Sequence, residues 1–312
     1  MGDGYLKAAL VVVPLAVFLW WADQHVAHAA VWALLLLSVS TGFVHGALDA
    51  VLMLQRYSLR RHSALVFVAY LSLVVLLAWA LSGAISLALW VLLLMSAWHF
   101  GEPYGRWPAV SQWQSGLTRA VVGGAPVMLP IWLAPEQLPA VLQTVLPSVA
   151  LDGWRGGAAV WLAVFGVEIL RLRKPCSVNG LQYAAFEVLG CAALYAVFSP
   201  LMAFAVYFGV YHAPLHIWRV WCSCKAVREV GDVGASLFSK VSPTTALIVI
   251  AATAVFSWLL GAALWWFLGA GTDVAADWGG ALRWLIVAFA ALTAPHLVLI
   301  SVCNEFLTPS KG

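Results

Sequence analysis

Apolar stretches follow one another along nearly the whole of this 312-residue chain, at about the length (roughly 17–25 residues) that a helix needs to cross a hydrocarbon layer. They fall at about 6–22, 29–55, 64–82, 84–100, 117–134, 157–172, 181–198, 200–221, 244–269 and 281–303. Charged residues make up 9% of the chain and hydrophobic ones 63%, whereas a soluble domain carries about 25% charge. A water-facing surface cannot be assembled from that balance. The alternation of period two that marks barrel strands does not recur. The expected fold class is all-α, a polytopic transmembrane helical bundle of about ten spans forming a single integral membrane domain over 1–312. Miscounting the short pair 64–82 and 84–100 would leave eight. The segment 135–156, with Pro135, Pro139 and Pro147, is expected to be a loop or interfacial helix. Leu6–Trp21 is too long and aromatic for a cleaved signal and is read as the first span.

Basic residues orient the spans. Cytoplasmic loops carry an excess of Lys and Arg, and on the ten-span reading fourteen of the sixteen basic residues fall on one side, only Arg155 and Arg283 on the other. Both termini are therefore expected in the cytoplasm, and the chain in the inner (plasma) membrane. Trp20, Trp21, Trp265 and Trp266 fall near outer span ends, and Trp218 and Trp221 near an inner one, as an interfacial aromatic belt requires. The net charge of +3 comes from these topogenic residues and gives no ground for a nucleic-acid partner. The five cysteines (Cys176, Cys191, Cys222, Cys224 and Cys303) have no zinc-ribbon spacing and are read as free thiols.

The histidines carry the functional signal. Three of the eight lie in loops: His25, His28 and His62 are read as solvated. The other five lie within spans: His45, His99, His212, His216 and His296. A lone intramembrane histidine is ordinarily a hydrogen-bonded packing residue, but ionisable groups in spans are costly and mark functional sites. Spans two, four, eight and ten all run inward. His45 lies eleven residues before Arg56, His99 seven before Arg106, His212 seven before Arg219 and His296 nine before Glu305. At 1.5 Å per residue these imidazoles share a layer about 10 Å deep in the cytoplasmic half. His212 and His216, four apart, fall on one helix face, the spacing by which helices offer two imidazoles to one metal. An all-histidine metal site is the expected outcome. Asp49, Glu102, Tyr207 and Tyr211 are placed to orient its ligands through their second ring nitrogens. Glu187 is expected to be buried, with no partner legible.

Four motifs occur in order: His45-Gly46-Ala47-Leu48-Asp49, Trp98-His99-Phe100-Gly101, Tyr211-His212-Ala213-Pro214-Leu215-His216 and Pro295-His296-Leu297. Together they resemble the Brp/Blh family of bacterial and archaeal membrane proteins, the β-carotene 15,15'-dioxygenases that supply retinal to microbial rhodopsins. The resemblance runs from span two to span ten. It implies a non-haem iron(II) enzyme that adds dioxygen across the central double bond of β-carotene, giving two all-trans-retinal. It implies His45, His99, His212 and His216 as iron ligands, with His296 a fifth ligand or, like Asp49, Glu102 and Tyr211, a supporting residue. The implied partners are a lipophilic carotenoid, dioxygen, membrane lipid and a rhodopsin that receives the retinal. The chain departs from the family in two places. Ala50 stands where a second histidine usually follows the first motif, and Tyr-His-Ala-Pro-Leu-His replaces the usual Trp-His-Ser-x-Arg-His. A divergent member acting on another carotenoid or polyene is the alternative.

Three other classes meet specific objections. A bis-histidine haem protein, or other non-catalytic metal-binding membrane protein, would space its histidines over several turns rather than four residues apart. A metal or proton transporter would need carboxylates through both membrane halves, and the outer halves of these four spans carry none. A diiron desaturase would need about twice as many histidines, in boxes absent here.

Overall fold

The computed structural model describes residues 17–26, 29–57, 61–101, 112–134, 148–172, 178–218, 244, 247–255, 258–259 and 278–307. No strand occurs among them, and each of the ten apolar segments contains helix. Helix α1 covers 17–25. Segment two is a rod made of α2 (Ala29–Leu37), a π-helical turn (Ser38–Gly42) and α3 (Phe43–Tyr57). Next come α4 (Arg61–Ser82), α5 (Ile85–Phe100), α6 (Gln112–Gly123) and α7 (Ala125–Leu133), the last two bent by 42°. Then follow α8 (Ser148–Leu172), α9 (Val178–Val197), α10 (Pro200–Val206) and a second π-helical turn (Tyr207–His212). The chain continues through α11 (213–218) and α12 (247–255) to α13 (Trp278–Leu307).

Among the described residues, Leu65–Ser82 in α4 and Leu282–Ile300 in α13 are each long and apolar enough to cross a membrane, and the bent pair α6–α7 makes a third if counted as one span. The α8 helix starts at Ser148, inside the stretch expected to be a loop or interfacial helix. Arg155 and Asp152 lower its hydropathy but pair at 3.4 Å on an exposed face, which an α-helix accepts.

Large apolar side chains cover the outside. On α4, Trp79 is 70% exposed, and Leu65, Val68 and Leu76 are also exposed. Lipid accommodates such a face and water does not. Inside, α13 packs against α5, α4 and α3. Ala78, Ala88, Ala290 and Ala291 are almost wholly buried there, and such small residues let membrane helices approach closely. Asp23, at the end of α1, accepts the backbone N–H of Ser199 at 2.7 Å and its hydroxyl at 2.6 Å, tying α1 to the residue that precedes α10. The two π-turns pack on one another so tightly that a Cβ on Gly209 would lie 2.4 Å from Leu37 Cβ. Only glycine fits at that crossing.

Candidate metal centre

All five span histidines meet at one place. His45 sits in the first turn of α3, directly after the first π-turn. His99 is in the last turn of α5, His212 closes the second π-turn, and His216 follows on α11. His296 comes from the middle of α13, just after Pro295. His45 Nε2 lies 3.2 Å from His296 Nε2 and 3.4 Å from His99 Nε2. The His45 and His99 rings each come within 5.7 Å, centre to centre, of the other four. One nitrogen from each of His45, His99 and His216 falls within 4.8 Å of the others, so this trio could hold a metal ion. His45, His99, His212 and His296 are buried, and His216 is half-buried.

The donor set fits a transition metal. Imidazole nitrogens at 2.0–2.1 Å from a shared ion would sit about 3.0–3.4 Å apart, depending on geometry, which is how far His45 Nε2 lies from the Nε2 atoms of His296 and His99. His45 Nδ1 is buried with no hydrogen-bond partner among the described residues, so this ring engages its surroundings through Nε2, the atom aimed at the cluster. His296 is oriented from behind. Its Nδ1 donates to Asp49 Oδ1 at 2.7 Å, and the Tyr70 hydroxyl donates to Asp49 Oδ2 at 2.7 Å. A carboxylate only accepts, so the His296 proton is on Nδ1 and the Nε2 lone pair faces the other rings.

Asp49, expected to orient a ligand of the site, lies one turn from His45 on its own helix, and its bond crosses to His296 on α13. The Tyr211 hydroxyl donates to Glu187 at 2.7 Å, and the Tyr207 hydroxyl donates to the same carboxylate at 2.6 Å. Glu187 on α9 thereby ties down the turn that presents His212, against which Phe100 packs edge-on at 4.6 Å. Glu102 lies outside the described residues, as do His28, Cys176, Cys222, Cys224, Trp221, Trp265 and Trp266. The His62 and Cys303 side chains are likewise not described. Trp20, Trp21, Trp218 and His25 are exposed, and Cys191 is buried as a free thiol. Tyr70 was missed; a tyrosine inside an otherwise apolar span was the available signal.

The cluster opens on one side into an apolar cavity. His45, His99 and His296 line it, together with Asp49 and Tyr70, while Phe204, Phe208, Trp284 and Phe289 supply aromatic walls. Gly46, beside His45, lines it too, and a Cβ there would meet nothing within 4 Å. The histidine cluster therefore presents a nitrogen-rich face to a large apolar space, a combination suited to metal chemistry on a nonpolar molecule.

Comparison with known proteins agrees with this arrangement. The family described as beta-carotene 15,15'-dioxygenase matches residues 36–304. Among curated proteins, the beta-carotene 15,15'-dioxygenase of uncultured marine bacterium 66A03 is 28% identical over 281 residues, covering 86% of this chain and 92% of that protein. No solved structure matches. The matched region includes all five clustered histidines and the cavity beside them, and the chain belongs to the β-carotene 15,15'-dioxygenase family.

Proposed function

We propose that this protein is a carotenoid-cleaving dioxygenase that cuts β-carotene at its central 15,15' double bond and releases two all-trans-retinal. The observation that carries the reading is the convergence of five imidazoles, three of them lining an apolar cavity, in a chain of this family. His45, His99, His212 and His216 hold iron(II), with His296 as a further ligand set by Asp49. When bound, iron(II) supplies the site for dioxygen binding and activation that a spin-forbidden reaction with a hydrocarbon requires. Both oxygen atoms end in the two new aldehydes, one on each carbon of the broken bond, so no external electron donor is needed.

The residues of the chain do the rest. The cavity walls hold a substrate without polar handles by shape, excluding water from the reacting bond. Asp49 fixes which nitrogen of His296 carries its proton. Glu187, through Tyr207 and Tyr211, holds the turn that ends in His212. A bis-histidine haem is disfavoured because its axial rings must straddle a porphyrin, whereas the His45 and His216 rings lie 4.3 Å apart.

The ten apolar segments form a multi-pass bundle in the plasma membrane, with both termini in the cytoplasm. The one-sided distribution of basic residues and the helix found in every apolar segment support that topology. Retinal leaves into lipid and to a rhodopsin that takes it up.

The test is expression in a β-carotene-accumulating host, scoring loss of colour and formation of retinal, with His45→Ala and His99→Ala alongside and iron per chain measured on the purified proteins. Retinal from the wild type only, with iron lost from both variants, is the expected result. Retained colour with an intact, iron-loaded wild type would reject β-carotene as the substrate.

A further inference from the structure

A second cavity adjoins the first. Leu92, Ser96, Phe204 and Phe289 line both, so the two spaces meet at these side chains. Along α13 the first cavity runs from His296 back to Trp284, and the second continues to Leu282. Along α5 the first runs from His99 to Leu92 and the second reaches Leu89. At 1.5 Å per residue, the far end lies about 15 Å from the cluster along α5 and about 21 Å along α13.

The walls of this second space are buried and nearly devoid of free polar groups. Trp154 is 5% exposed and Tyr195 4%, and the Tyr195 hydroxyl is committed to the carbonyl of Pro126 at 2.6 Å. Trp154 Nε1 is buried with no hydrogen-bond partner among the described residues. A buried indole N–H normally finds one, and the π-system or an oxygen of an occupant would provide it. Four aromatic rings and three prolines stand among the leucines of the wall, stiff apolar surfaces that suit a rigid ring.

We propose that the second cavity seats the terminal ring of one carotenoid arm, and that its distance from the histidines selects which double bond is cut. The proposal rests on the carotenoid-cleavage reading above. β-Carotene is about as long as a bilayer core is thick, about 30 Å, so an arm measured from its central bond is roughly 15 Å and ends in this cavity. A bond nearer either end would leave one arm too long for the pocket and the other short of it.

Val127, on the α7 wall and 3% exposed, is the position to fill. Val127→Phe should occupy the ring pocket without touching a histidine, and Leu282→Phe does the same from α13 should the first variant fail to fold. The two substrates are β-carotene and β-apo-8'-carotenal, which keeps one ringed arm and has the other shortened. The expected result is a fall of at least about tenfold in kcat/KM for β-carotene relative to the shortened substrate, the cost typical of overfilling a packed space, with iron content unchanged. An unchanged ratio in a folded, iron-loaded variant overturns the proposal. Binding, read by induced circular dichroism of the polyene, separates the two readings. Wild-type protein that binds both polyenes but cuts neither sinks the cleavage reading alone. A Val127→Phe protein that binds β-carotene as tightly as the wild type does sinks the ring pocket alone.

Discussion

Asp49 and His296 stand 247 positions apart in the chain, yet a carboxylate oxygen of one accepts the Nδ1–H of the other at 2.7 Å in a buried setting. That bond joins α3 to α13 at the floor of the histidine cluster and decides which His296 nitrogen faces the other imidazoles. Asp49→Asn keeps the shape but weakens the acceptor and allows the opposite ring tautomer. Iron affinity is expected to fall about 10- to 100-fold, as for other residues that orient metal ligands. Titration of the apoprotein with ferrous iron checks this, and unaltered affinity would mean that His296 is not held as a ligand.

Glu187 accepts two tyrosine hydroxyls and is itself 4% exposed. Glu187→Ala removes the carboxylate that accepts both hydroxyls, a loss of about 1–3 kcal/mol at the buried Tyr207. Thermal unfolding in detergent should shift down measurably for Glu187→Ala and less for Glu187→Gln, which can still accept one hydroxyl. Because the tyrosines belong to the turn ending in His212, the alanine variant should also lose iron faster to a chelator. Loss of stability without faster iron release would confine Glu187 to a packing role.

Gly209 leaves no room for a side chain beside Leu37. Gly209→Ala is expected to destabilise the fold by about 1–3 kcal/mol and to reduce iron occupancy. Leu37→Gly in the same chain, which removes the opposing Cβ, should restore part of the loss, since residues in contact couple in a double-mutant cycle. Purely additive effects would show that the crossing is looser than the described packing.

Gly46 borders open space beside His45. Gly46→Leu should fill the cavity next to the cluster, cutting turnover by tenfold or more by the estimate for overfilled sites while leaving iron content near that of the wild type. Product formation and iron per chain, measured together, separate blocked access from metal loss.

Much of this site could be read from the chain itself. An imidazole inside an apolar segment is conspicuous, and counting residues back from each basic loop put all five in one layer, where the rings do meet. What could not be read was tertiary. Asp49 lies one turn from His45 and bonds the opposite helix. Glu187 could be seen as buried, but its partners come from a turn whose π-helical winding leaves no pattern in hydropathy. Apolar composition is likewise continuous across Gly124, where the helix bends by 42°, so the bend is not legible in hydropathy.

Those π-turns act as phase setters. A π-turn amounts to one residue inserted into an α-helix, and each α-helical residue advances the rotation by about 100°. His45 follows the first such turn and His212 closes the second. Deleting a single residue from either would leave a regular helix of nearly the same length and composition, with every later side chain swung about a quarter-turn or more around the axis. The inward aim of these imidazoles thus depends on an irregularity of winding. Two chains with the same histidines at the same depth in the membrane can differ in whether those histidines ever see one another.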